Sequence, residues 1–126
     1  MRRLGLAAAL GGVLAVGVAW TVAASPADAI EGKAIFEKRC TGCHALDADK
    51  DGPRLRGVFG RKAASVASFP YSDALRKSAI TWDASSLDKW LANPDAMAPQ
   101  TDMAFRVASQ EERAAIIEYL KEIAAQ

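Results

Sequence analysis

Histidine is nearly absent from this chain of 126 residues: there is one, His44, alongside two cysteines, Cys40 and Cys43, and three methionines. A structural zinc site needs four ligands, and no second group of cysteines or histidines exists to complete one. A basic excess is missing too. The formal net charge is +1, and from Ile30 onward acidic and basic residues balance, which removes the electrostatic footprint of a nucleic-acid binder. There are no internal repeats and no low-complexity segments, and little reads as strand. The βαβ pattern that accompanies C-x-x-C in thioredoxin-like proteins is also lacking.

One long apolar run is present, and it is N-terminal. Met1-Arg2-Arg3 precedes apolar residues from Leu4 to Ala24, followed by Ser25-Pro26-Ala27-Asp28-Ala29. A basic start, an apolar stretch and a small-x-small cleavage motif spell an export signal over residues 1–29, with a mature domain from Ile30 to Gln126. An uncleaved anchor is the alternative, since the run is long enough to span a bilayer. Its tether, Ser25 to Ala29, would be short for a protein that moves between partners. Either way the domain is exported, to the periplasm.

The rest reads as helices joined by long irregular segments. Good helix formers run from Gly32 to Cys40, placing Phe36, Cys40 and Cys43 on one face. Ala45 to Ser68 is loop, and a helical turn falls around Ser72 to Lys77. A helix from Asp83 or Ser85 to Ala92 sets Leu87, Trp90 and Leu91 at i, i+3, i+4, and Asn93-Pro94 stops it. Ser109-Gln110-Glu111-Glu112 reads as a capping box, opening a last helix with an apolar stripe of Ile116, Tyr119, Leu120 and Ile123. That stripe requires a partner, and the Ile35/Phe36 face of the first helix supplies one.

"CTGCH", residues 40–44, gathers every cysteine and the only histidine. A disulfide or redox dithiol is one reading in an oxidising compartment. Covalent haem suits the spacing better: two thiols at i and i+3 can add to the two vinyl groups on one haem edge, and the adjacent histidine offers its imidazole to iron. A lone histidine and a lone cysteine pair limit the chain to one haem, whose sixth ligand is not histidine. After Ile30 the methionines are Met97 and Met103. Residue chemistry separates them weakly. The longer, Pro99-stiffened path from Pro94 favours Met103. Asp47-Ala48-Asp49-Lys50-Asp51-Gly52 imitates the start of a calcium-binding loop, but Val58 stands where the bidentate glutamate belongs.

From Gly32 to the C-terminus the chain resembles the class I cytochromes c, the mitochondrial and bacterial c2 group, through "CTGCH", "GPRLRGVFGRK", "FPYSDALRKSAITW", "NPDAMAPQTDMAF" and "ERAAIIEYLK". The resemblance implies an all-α fold in which the first and last helices cross, near Gly32 and Phe36 against Ile116 and Tyr119. It implies one haem c bound through Cys40 and Cys43, with iron held by His44 and Met103. By the same resemblance the Pro53 carbonyl accepts the other ring N–H of His44. Arg61, Tyr71 and Trp82 serve the haem propionates or their surroundings, and Thr101 and Phe105 keep the family's spacing around Met103. Three positions depart from the mitochondrial pattern. Trp90 replaces a tyrosine beside the iron-bound sulfur. Leu75 replaces an asparagine of an internal polar network. Asp102 replaces a lysine, which weakens the basic docking ring, leaving Lys33, Lys38, Arg39, Arg61 and Lys62 as candidates for a basic rim.

A histidine–methionine iron has no vacant position for substrate and a raised potential. The expected function is a soluble, monomeric, non-enzymatic carrier of single electrons, docking weakly with a membrane complex, an oxidase or a dehydrogenase. The alternatives are a haem subunit fixed in a dehydrogenase complex, which needs a large apolar contact surface, and a haem enzyme or gas sensor with a labile sixth ligand.

Overall fold

A computed structural model describes residues 26–126. The expected export signal lies mostly outside the described residues. Five helices follow in order: α1 Pro26–Arg39, α2 Asp73–Lys77, α3 Ala84–Ala92, α4 Pro94–Met97 and α5 Gln110–Ala124. Among the described residues, the sole strand-like pairing is an isolated antiparallel bridge between Lys62 and Thr81. No helix among them is long and apolar enough to cross a membrane.

The frame is the pairing of α1 with α5, and small size at one point makes it possible. A Cβ on Gly32 would fall 2.3 Å from the Ala115 carbonyl oxygen and 3.0 Å from the Tyr119 Cβ, so only glycine lets the two backbones approach this closely. One turn further along, the Phe36 and Tyr119 rings lie 5.3 Å apart in a tilted pair. Phe36 and Ile116 are 1% and 0% exposed, which puts the helix crossing at the centre of the core. The expected crossing of first and last helices is present, at the expected residues.

At the end of the pair, Arg39 closes on Glu112 with two hydrogen bonds of 2.8 and 3.0 Å. This corrects the expected capping box. Ser109 Oγ does accept the Glu112 backbone N–H, at 3.1 Å. The Glu112 carboxylate does not return to the cap; it is held by Arg39, whose planar guanidinium offers two parallel charge-assisted bonds against one from a backbone amide. A full capping box exists instead on α3. Asp83 accepts the Ser86 N–H and Ser86 accepts the Asp83 N–H, both at 2.8 Å. Leu87, Trp90 and Leu91 are all buried on the inner side of that helix.

Asn93-Pro94 ends α3 as expected, but the chain does not pass directly into loop. Pro94 opens α4, a single turn, because its fixed φ suits the first helical position and its missing N–H has no partner to lose there. From Ala98 to Ser109 there is no helix. That irregular stretch carries Met103.

Candidate functional site

A cavity of about 360 Å³ lies inside this frame, and Cys40, Cys43, His44 and Met103 all line it. Helix α1 stops at Arg39, so the two thiols are carried on the turn that follows and not on a continuing helical face, as the spacing had suggested. In that turn the backbone N–H groups of Cys43 and His44 both bond to the Cys40 carbonyl, at 3.2 and 2.9 Å. One acceptor therefore fixes both residues. Cys43 is exposed and Cys40 is half-buried; neither is in a disulfide. Burial pushes the Cys40 thiol up to about 11, so it faces the cavity as the neutral thiol at pH 7.

His44 is held from two sides. Its Nδ1 lies 2.8 Å from the Pro53 carbonyl oxygen. A carbonyl can only accept, so Nδ1 carries the proton and Nε2 keeps its lone pair. Burial lowers the imidazole pKa below its ordinary value; the Pro53 bond opposes this and the Lys50 charge adds to it. On the other side is Gly52, which in the sequence is only one residue of a long loop. A Cβ there would fall 2.3 to 2.7 Å from three ring atoms of His44. The glycine is the seat of the imidazole.

Among the described residues Met103 has one polar partner. Trp90 Nε1 donates to its sulfur at 3.2 Å, and the Trp90 ring packs edge-on against Trp82 with centroids 5.1 Å apart. Tyr71 is buried in the cavity wall, and its hydroxyl accepts the Val66 N–H at 3.3 Å. Arg61, half-buried, turns inward and donates to the carbonyls of Arg54 and Arg56 at 3.0 and 3.3 Å. Thr101 lines the cavity half-buried, and Phe105 stands at its edge, 44% exposed. Every residue that the resemblance assigns to the haem site thus borders one cavity. Met97 lies on α4, half-buried against the core.

The donors fit haem and fit a protein-ligated metal poorly. Among the described residues no group of three or more His, Cys, Asp and Glu side chains is placed to hold an ion, so Cys40, Cys43 and His44 do not converge as zinc ligands. The calcium-like loop is likewise spent: Asp47 pairs with Arg56 at 2.6 Å, and Asp49 accepts from Ser68 and the Arg54 N–H. What remains is an apolar-walled cavity with two thiols, one imidazole whose free nitrogen is Nε2, and one thioether. The sequence model of the cytochrome c family matches residues 29–124.

The chain belongs to the cytochrome c family. It is 40% identical over 110 residues to cytochrome c of Chlamydomonas reinhardtii, covering 83% of this chain and 98% of that one. It is 42% identical over 87 residues to cytochrome c2 iso-2 of Magnetospirillum fulvum, covering 67% and 91%. Among solved structures, cytochrome cH from Methylobacterium extorquens superposes with a TM-score of 0.71 at 39% identity, covering 75% of this chain and 98% of the other. As a cytochrome c it is an electron carrier and not an enzyme. The family's haem c is covalent, and Cys40 and Cys43 stand in the attaching spacing.

Proposed function

We propose that this cytochrome c is a monohaem carrier of the periplasm, in which His44 and Met103 would hold the iron, moving single electrons between respiratory or dehydrogenase partners. One observation carries the ligand assignment: each of the two residues lines the same cavity and is aimed by a second residue, His44 by the Pro53 carbonyl and Met103 by the Trp90 N–H. Hydrogen bonds of this kind, made to the ligand residue from behind, fix its orientation before metal arrives. Bound in the cavity, haem c supplies a one-electron iron couple.

The chain's own residues do the rest. Cys40 and Cys43 tether the group, and Pro53 holds the imidazole in the tautomer that presents Nε2. Trp90 occupies one sulfur lone pair of Met103 and leaves the other free. Arg61, Tyr71 and Trp82 supply a polar and aromatic wall for the propionates. Phe105, at the cavity edge and exposed, is an apolar contact for a docking partner. Residues 1–29 act as a cleaved export signal, a reading that rests on their sequence alone.

The test is an optical spectrum of the protein purified from the periplasmic fraction, with N-terminal sequencing of the same sample. The expected protein begins Ile30-Glu31-Gly32-Lys33. Its ferric form shows the weak long-wavelength sulfur-to-iron band, lost in Met103→Ala and kept in Met97→Ala, and its reduced form does not bind carbon monoxide at neutral pH. Rapid carbon monoxide binding by the unaltered protein would replace the carrier with a gas-binding sensor. A membrane-bound product starting at Met1 would establish an anchor.

A further inference from the structure

Met103 lies in the least supported stretch of the described chain. Residues 102–106 make no backbone hydrogen bond among the described residues, so beyond the Trp90 bond to the Met103 sulfur the stretch is held by what grips its two ends. At the near end, Thr101 N–H bonds to Ala98 O at 3.0 Å, and the Asp95 carboxylate accepts the Gln100 N–H at 2.9 Å. Gln100 sits there at φ 66, in the left-handed region.

At the far end the grip is one side chain and one backbone bond. Arg113, in the first turns of α5, is only 12% exposed. Its Nη1 donates to the carbonyls of both Val107 and Ala108, at 3.0 and 2.9 Å, and its Nε donates to Asp88 on α3 at 2.7 Å. Val107, 2% exposed, returns its own N–H to Leu91 O on α3 at 2.8 Å. Helix α3 is therefore buttoned to the stretch at three places. They are Trp90 to the Met103 sulfur, Leu91 to Val107, and Asp88 through Arg113.

We infer that Arg113 is a positioning residue for the haem site, which holds the segment bearing Met103 and so sets how readily that thioether yields iron to another ligand. The inference rests on the reading of Met103 as the ligand. One guanidinium satisfies the part-buried carbonyl of Val107, the exposed carbonyl of Ala108 and the Asp88 carboxylate, which is 43% exposed. Removing it leaves the shielded Val107 carbonyl short of a partner and unties the Ala108 carbonyl and Asp88 from each other, four and five residues from Met103 with no backbone bond between to absorb the slack. The α1–α5 crossing, built on Gly32, Phe36 and Tyr119, does not depend on it.

An exogenous ligand binds only the population in which Met103 has let go, so its apparent affinity rises in proportion to that population. The experiment titrates the ferric holoprotein with imidazole and follows loss of the long-wavelength sulfur band. Arg113→Met is expected to bind imidazole about tenfold more tightly than the unaltered protein. Asp88→Asn, which keeps the carbonyl bonds and weakens only the ion pair, falls between the two and carries the test if Arg113→Met does not fold. Ile123→Ala serves as the control. It opens a gap in the core near the other end of α5, lowers thermal stability and leaves imidazole affinity unchanged. Unmoved affinity in both α3–α5 variants, or an equal rise in Ile123→Ala, would show Arg113 to be general scaffolding and overturn the inference. A missing sulfur band in the unaltered ferric protein would overturn the Met103 assignment and the inference together.

Discussion

The indole N–H of Trp90 reaches the Met103 sulfur across 13 positions of sequence. A donor on a thioether draws electron density from it and favours the reduced state of whatever metal it binds. Trp90→Phe keeps an aromatic ring against Trp82 and deletes the donor, so the reduction potential should fall. A net hydrogen bond of about 1 kcal/mol, with about 59 mV per tenfold for one electron, bounds the fall at about 40 mV. Voltammetry of the two proteins checks it, and an equal or higher potential in the variant would contradict it. At this scale the sequence was readable wherever neighbours make the site: "CTGCH" places thiols and imidazole within five positions, so spacing alone pointed to haem. It was unreadable wherever the partner is distant or the feature is an absence. Gly52 is a hydrogen atom where any other side chain would strike His44, and a glycine in a loop gives no such sign.

Helices were legible in proportion to their length and pattern. The apolar spacing of α3 and α5 and the stop at Asn93-Pro94 could be seen, whereas α4, one turn long, has too few residues to show a period. The cap of α5 was half legible. Ser109 bonds as a cap should, but the fate of the Glu112 carboxylate was decided by Arg39, 73 positions away, and no local window contains it. On α3 the reciprocal cap has a pH dependence. Hydrogen bonds from the Ser86 backbone and side chain hold the Asp83 carboxyl below its ordinary 3.8. The folded state thus binds the proton less readily than the unfolded one. The contribution is complete above the ordinary value and disappears as pH falls through the lowered one. Asp83→Ser retains a cap that does not titrate. Thermal unfolding followed from neutral to acid should show the native protein losing more stability below 3.8 than the variant; parallel curves would remove Asp83 from the account. Since Trp90 and Leu91 ride on α3, this cap also supports the sulfur bond.

The whole molecule was the most legible level, because an all-α single domain with paired end helices follows from two apolar stripes and one haem motif. Its outer charge was the least legible. Of the candidates for a basic rim, Arg39 is spent on Glu112 and Arg61 on backbone carbonyls, commitments that counting charges cannot reveal. The Arg39–Glu112 pair forms late in folding. Joining residues so far apart in sequence costs on the order of 4 kcal/mol of chain entropy. A pair 39% and 28% exposed returns less than about 1 kcal/mol. The bond cannot draw the two ends together; it can only fasten them after Gly32 and Phe36 have found Ala115 and Tyr119. A fastener applied last has no hold on how fast the chain folds and every hold on how fast it comes apart. In stopped-flow experiments on the holoprotein, Glu112→Gln should therefore leave the folding limb unmoved and speed unfolding by up to about fivefold. A slowed folding limb would mean that the ends meet early. If they meet last, the stretch from Cys40 to His44, which begins one residue beyond the fastener, stays open while the rest of the chain is still being assembled.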